Sequence, residues 1–214
     1  MISIVMTCYN PKGSPRGSYA ARCAVSLYNR IRCDQEVELV LADDGSEDTE
    51  YANRIKDCIK WSVRMTTGKR LGIGGSLNRA LSIVNNPWMY TTDDWFLTEK
   101  LDLTNPLKLL SRGYDFVRLG PVHPNLLCET KFDGYWWLDV STVTGFAFAT
   151  RPFLATKEFY DRIGPFKEHV NAYDTERDYS DRVTAKKAKV AYSDVSLSGP
   201  WEHIGDYEVG TLYP

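Results

Sequence analysis

Two pairs of adjacent carboxylates, Asp43-Asp44 and Asp93-Asp94, each close an apolar run, about fifty residues apart. At the ends of two parallel strands, both pairs would emerge on one edge of a sheet. Four clustered acids repel one another unless a cation or hydrogen-bond donors compensate them. A hard divalent ion, Mn2+ or Mg2+, suits oxygen ligands and keeps positions open for substrate phosphates. A plainer reading stays open for the first pair, in which Asp43-Asp44-Gly45-Ser46 is an Asx-type turn capping the next helix.

Between the acidic pairs lies a glycine-rich stretch, Gly68-Lys69-Arg70-Leu71-Gly72-Ile73-Gly74-Gly75. It does not fit a P-loop, and no G-x-G-x-x-G follows the first strand, which disfavours a flavin or nicotinamide oxidoreductase. Glycines before a helix N-terminus, with Lys69, Arg70 and Arg79 nearby, would receive a pyrophosphate through backbone N–H groups and charge. A flexible surface turn is the alternative.

The elements that must position these residues alternate in type. Ile2 to Cys8, Glu36 to Ala42, Trp61 to Thr66 and Trp88 to Thr92 read as buried strands. Between them, helices are expected from Ser18 as N-cap, from Asp48 to Ile59, and from Ser76 as cap of the stripe Leu77, Ala80, Leu81 and Val84. Asn105-Pro106 opens a further helix closed by Gly113, and Tyr114 to Leu119 is a strand. Beyond that point the pattern weakens. A strand is expected around Phe146 to Thr150, helices near Pro152 to Ile163 and Thr175 to Lys187, and a strand at Lys189 to Tyr192. Such alternation predicts an α/β sandwich around a mostly parallel sheet.

Bulk properties narrow the class. A formal net charge of −2 gives no electrostatic reason to expect nucleic acid as a partner. The basic run Lys186, Lys187 and Lys189 reads as a solvated helix end. Five cysteines, an odd number with no C-x-x-C pair, argue against a disulfide framework or a zinc knuckle. The first residues lack the flank and apolar stretch of a signal peptide, and no apolar run approaches the ~20 residues of a membrane span. The expectation is a cytoplasmic protein of one domain, 1–214, with no transmembrane segment.

The chain resembles the family 2 inverting glycosyltransferases of the GT-A fold, within the nucleotide-diphospho-sugar transferase superfamily. The resemblance is carried by Ser3-Ile4-Val5-Met6-Thr7-Cys8-Tyr9-Asn10, Leu41-Ala42-Asp43-Asp44-Gly45-Ser46, Gly74-Gly75-Ser76-Leu77-Asn78-Arg79-Ala80-Leu81 and Tyr90-Thr91-Thr92-Asp93-Asp94. It continues in Arg162-Ile163-Gly164-Pro165-Phe166, Glu176-Arg177-Asp178-Tyr179-Ser180-Asp181-Arg182 and Glu202-His203-Ile204-Gly205. It implies a Rossmann-like three-layer sandwich, with residues 1–100 binding a nucleotide sugar and 101–214 supplying the acceptor site and catalytic base.

By that resemblance Thr7 and Tyr9 cradle the base, Asp44 accepts the imide N–H of uracil or thymine, and Asp93 touches the ribose. Arg70 and Asn78 join this nucleotide-sugar-binding group. Asp94 ligates a divalent metal through the diphosphate, and His203 completes the metal or diphosphate site; as a lone histidine, His203 also reads as structural. Where the family often shows E-D-x-D followed by Arg, alignment on Arg182 puts Glu176 at the base and Asp178 at the second acid, a departure from the usual Asp. Helical spacing places Glu176 with Tyr179 and Val183 on a half-apolar face, and Asp178 at salt-bridge spacing from Arg182. Either acid also reads as an exposed helix start favoured by the helix dipole.

Tyr135, Trp136 and Trp137 offer an acceptor platform or core packing, with Asp139 beside them. The expected activity is metal-dependent, inverting transfer of a hexosyl-type sugar, from a UDP-sugar donor to an unidentified acceptor hydroxyl. The rivals are a sugar-phosphate nucleotidyltransferase and a catalytically silent nucleotide-sugar-binding module. Oligomeric state is left open.

Overall fold

Seven consecutive buried residues form β1 (Ile2–Cys8), and their side chains alternate between two cores. Ile4 and Met6 face a layer that includes Ala20, Leu27, Tyr51, Ile55 and Leu109. Val5 faces the opposite layer with Leu77, Phe159, Tyr179 and Val183. A central strand apolar on both faces is what a three-layer α/β sandwich requires.

The computed structural model describes residues 1–120, 130–132, 136–138, 147–192 and 200–207. After β1 come α1 (Arg16–Arg30), β2 (Ile31–Arg32), β3 (Val37–Asp43), α2 (Glu50–Cys58), β4 (Ser62–Thr66), α3 (Gly72–Leu81) and β5 (Trp88–Thr92). They are followed by β6 (Trp95–Leu97), β7 (Leu101–Asp102), α4 (Thr104–Ser111), β8 (Phe116–Arg118), β9 (Thr130–Phe132) and β10 (Trp136–Leu138). Last are β11 (Phe153–Ala155), α5 (Lys157–Ile163), α6 (Ala172–Ala185), β12 (Val190–Tyr192), β13 (Trp201–His203) and a 3-10 turn, Ile204–Tyr207.

Among the described residues the main sheet has nine strands in the order β4-β3-β1-β5-β11-β8-β12-β10-β9. The pairs β4/β3, β3/β1, β1/β5 and β8/β12 are parallel, and of these strands only β11 and β10 run against the rest. The expected mostly parallel sheet is therefore present, and strands from both halves of the chain build it. Helices α1, α2 and α4 cover one face, while α3, α5 and α6 cover the other.

Three local expectations are corrected. Ser18 is not a cap, because α1 starts at Arg16 after Pro15 and the Ser18 N–H already donates to the Pro15 carbonyl. Ser76 likewise lies inside α3, donating to the Ile73 carbonyl, since the helix begins four residues earlier at Gly72. Residues 147–150 are not a strand. The strand is Phe153–Ala155, fully buried between β5 and β8, in the segment expected to open a helix.

The four cysteines among the described residues are free. No helix among those residues is long and apolar enough to cross a membrane.

Candidate active site

The parallel ladder sets the site. The Asp44 N–H donates to the Cys8 carbonyl, and the Asp93 N–H donates to the Thr7 carbonyl. Both acidic pairs are thereby pinned beside the C-terminal end of β1, on the sheet edge where open α/β folds bind ligands. The resulting cleft is lined by Thr7, Cys8, Tyr9, Arg16, Asp44, Ile73, Ser76, Thr92, Asp93, Asp94, Thr150 and Ala172.

Asp43 is absent from that lining. It is fully buried and accepts hydrogen bonds from the Gly45 and Ser46 N–H groups, the Ser46 and Thr67 hydroxyls and the Tyr51 phenol. Burial works to raise its carboxyl, but these donors outweigh it and hold the group below the ordinary carboxylate range. Asp43 is thus the Asx-turn residue of its pair.

Asp44 faces the cleft. Its two oxygens accept the N–H groups of Leu71 and Gly72 at 2.9 and 3.0 Å, capping the first turn of α3. Burial nonetheless leaves its carboxyl raised.

The second pair is met by a distant cation. Arg16, the first residue of α1, donates from Nε to Asp93 Oδ2 at 3.2 Å and from Nη2 to both Asp93 Oδ1 and Asp94 Oδ2, the last at 3.1 Å. Burial pushes the Asp93 carboxyl up to about 7, against the pull of Arg16. Burial also opposes ionisation of Asp94, yet His203, Arg16 and the Thr92 hydroxyl take it down to about 2.

His203 reaches the pair through β13, which runs antiparallel to β6 with His203 opposite Trp95. The Ile204 N–H donates to the Asp94 carbonyl, the imidazole packs on Trp95 with centroids 4.7 Å apart, and Nε2 lies 3.4 Å from Asp94 Oδ2.

The donor set can be tested against a divalent ion. Asp94 and His203 offer one carboxylate and one imidazole, both accepted by Mn2+. Among the described residues no group of three or more His, Cys, Asp or Glu side chains converges to hold a metal by itself. The residues fit an ion that shares its coordination with substrate phosphates, and they do not fit a closed structural site.

The glycine stretch works differently from its sequence reading. A Cβ on Gly74 would collide with the Lys167 carbonyl, so this glycine lets the 166–170 segment lie directly on α3. Asn78 serves the same contact: its amide donates to the Phe166 carbonyl and Glu168, and its oxygen accepts from the Phe166 N–H and the Tyr160 hydroxyl. With those bonds made it does not line the cleft. Arg79 ties the two loops, donating to the carbonyls of Lys69 and Asp43 and lying 3.7 Å from Asp44. Arg70 lies over the Tyr9 ring, 4.2 Å from its centroid, and Thr7 shares a hydrogen bond with the Tyr90 hydroxyl at 3.0 Å.

Helix α6 enters from the second half of the chain. Asn171 caps it by accepting the Asp174 N–H, and Ala172 reaches the cleft wall. One helical turn apart, Glu176 and Ser180 hold the 147–150 segment: Glu176 Oε1 accepts from the N–H and hydroxyl of Thr150, and Ser180 accepts from Ala147 and Phe148. Glu176 is therefore joined to the cleft through Thr150. Asp178 points elsewhere, paired with Arg182, whose guanidinium also donates to the Ile163 carbonyl.

Tyr135 and Asp139 fall outside the described residues, and Trp136 and Trp137 are described there only as backbone in β10. Sequence reasoning does not find Arg16 or Thr150. For Arg16 a signal exists: a cation at a helix N-terminus sits at the wrong end of the dipole and calls for a nearby carboxylate.

Residues 3–164 match the family model described as glycosyl transferase family 2. A search of curated proteins found no match. Among solved structures, S. aureus TarS 1-349 aligns with a TM-score of 0.69 at 14% identity, covering 92% of this chain and 59% of that one. The same protein in complex with UDP-GlcNAc aligns with a TM-score of 0.62 at 15% identity, covering 97% and 61%, and its UDP complex with 0.65 at 14%, covering 92% and 59%. This chain spans about three-fifths of the length of those chains, and at such identities the likeness concerns the fold.

Proposed function

The chain belongs to glycosyl transferase family 2, and from that premise we propose that it transfers a sugar from a uridine diphosphate donor to an acceptor hydroxyl, with inversion at the anomeric carbon and the help of a divalent metal. The observation that carries the reading is the convergence of Thr7, Asp44, Asp93 and Asp94 with Thr150, the partner of Glu176, around one cleft. That the TarS complexes contain UDP-GlcNAc and UDP supports the choice of donor.

In this reading the base lies between Tyr9 and Asp44. Each Asp44 oxygen, already fixed by one N–H, from Leu71 or Gly72, keeps a lone pair for the imide N–H. Asp93 takes the ribose hydroxyls. Asp94 and His203 would hold Mn2+ or Mg2+, which when bound supplies positive charge to the departing diphosphate. Thr150 fixes one Glu176 oxygen, and the other accepts the proton of the attacking acceptor hydroxyl in a single displacement.

The deciding experiment is a thermal-shift screen of nucleotide sugars with and without Mn2+. A bound donor at a hundredfold excess over its Kd stabilises by about 2.7 kcal/mol, or about 5–10 °C for a chain near this size. One UDP-sugar is expected to do so only with Mn2+. No shift with any uridine diphosphate compound would overturn the proposal.

A further inference from the structure

Asp94 Oδ2 has two basic side chains close against it. Arg16 Nη2 lies 3.1 Å from it and His203 Nε2 3.4 Å. A Cβ on residue 205 would stand 2.9 Å away, so Gly205 lets the backbone lie close against this oxygen. The other oxygen accepts the Thr92 hydroxyl. A carboxylate oxygen directs two lone pairs, so a cation approaching Oδ2 must displace a group already there. His203 can stay, because an imidazole nitrogen is itself a metal ligand. Arg16 cannot, since it has no acceptor and stays charged.

Charge counting extends the point. Asp93 and Asp94 carry at most two negative charges, and Arg16 already neutralises one. A divalent ion added beside Arg16 leaves the cluster net positive in a poorly solvated place, where like charges interact strongly. A diphosphate arriving with the ion reverses the balance and gives the guanidinium a bidentate partner.

We propose that Arg16 is a built-in counter-cation that makes metal uptake at Asp94 conditional on the donor's diphosphate. This rests on the metal-dependent reading above. Arg16 acts through Asp93 and Asp94 as a positioning residue, holding the pair in place and excluding the metal until the diphosphate arrives.

The test is Mn2+ titration followed by electron paramagnetic resonance of the free ion, with and without UDP, on the wild-type chain, Arg16→Gln and Arg16→Lys. The wild type should take up Mn2+ weakly alone and much more tightly with UDP. Arg16→Gln should bind Mn2+ alone about tenfold more tightly or better, as expected when an adjacent like charge is removed, and the gain from UDP should shrink by the same factor. Unchanged or weaker Mn2+ binding by folded Arg16→Gln, beside intact UDP-assisted uptake by the wild type, would overturn this inference and leave the metal-dependent reading standing. No uptake by the wild type even with UDP would overturn both. Should Arg16→Gln fail to fold, Arg16→Lys decides. Its point charge cannot span both carboxylates, so binding about threefold tighter than wild type supports the proposal and unchanged binding overturns it.

Discussion

The same dipeptide closes two parallel strands of this sheet and meets opposite fates. Asp43 is followed by Gly45 and Ser46 after one residue, and their N–H groups, with Tyr51 and Thr67, satisfy its carboxylate within its own loop and the elements packed on it. Asp93-Asp94 is followed by Trp95 and Phe96, which offer no such turn, so its charge is met by Arg16 and His203 from distant parts of the chain. The residues immediately after an acidic pair decide whether its first carboxylate is spent on a turn, as Asp43 is, or lines the cleft, as Asp93 does, while Asp44 and Asp94 face the cleft in both pairs. A locally saturated carboxylate is architecture, whereas one compensated by side chains from distant elements has partners that a ligand could replace.

Substitution should separate the two pairs by observable. Asp94→Asn removes the ligand that would bring a metal to the diphosphate, so turnover should fall about 1000-fold or more. Its stability cost should be near 2 kcal/mol, from about 1.4 kcal/mol per unit of the drop to about 2. Asp43→Ala should invert that order. Several buried donors, including the Tyr51 phenol, lose their acceptor, and stability should fall by about 4 kcal/mol. Urea denaturation and donor turnover on both variants check this. Equal stability losses would erase the distinction.

The pH dependence of stability sharpens the comparison, because the first acids of the two pairs, Asp43 and Asp93, act with opposite sign. Asp43 is held below its ordinary value, so its contribution is present above about pH 4 and is lost as pH falls through its folded value. Asp93 is raised to about 7, so between about pH 4 and 7 the folded chain binds more protons than the unfolded one and stability declines as pH rises. In urea melts from pH 3 to 8, Asp93→Asn should flatten the decline above pH 4, and Asp43→Asn should weaken the loss on the acid side. A decline above pH 4 that survives in Asp93→Asn would assign it to another group.

The contrast between local and distant satisfaction also explains what the sequence discloses. β1, β3 and β5 are legible because each is an apolar run that stops at a polar turn or an acidic pair, and a parallel ladder then carries both pairs to one edge. The stretch around β11 misleads. Phe153, Leu154 and Ala155 are too few to show a period, and they run into the helical spacing of Phe159 and Ile163. β13 is equally short, so the route that returns His203 to Asp94 leaves no mark beyond a motif. Asn78 and the glycines of α3 look donor-binding because close approach of a protein segment and of a phosphate ask for the same small or polar residues.

The smallest effect belongs to α6, where two acids stand two residues apart. Asp178 bonds Arg182 at 2.6 Å across one turn, both side chains about one-third exposed, and such i,i+4 pairs contribute only about 0.3–0.5 kcal/mol. Arg182 keeps its bond to the Ile163 carbonyl without it. Asp178→Asn should therefore leave stability within ~0.5 kcal/mol and turnover within about threefold, since nothing in its contacts reaches the cleft. Glu176→Gln should keep donor affinity while transfer falls about 100-fold or more, the scale of a lost general base. Steady-state kinetics on the pair, with donor binding measured separately, gives a direct ranking. If Asp178→Asn is the slower variant, the base lies on the other side of the helix, and the Thr150 contact marks Glu176 as a loop anchor alone.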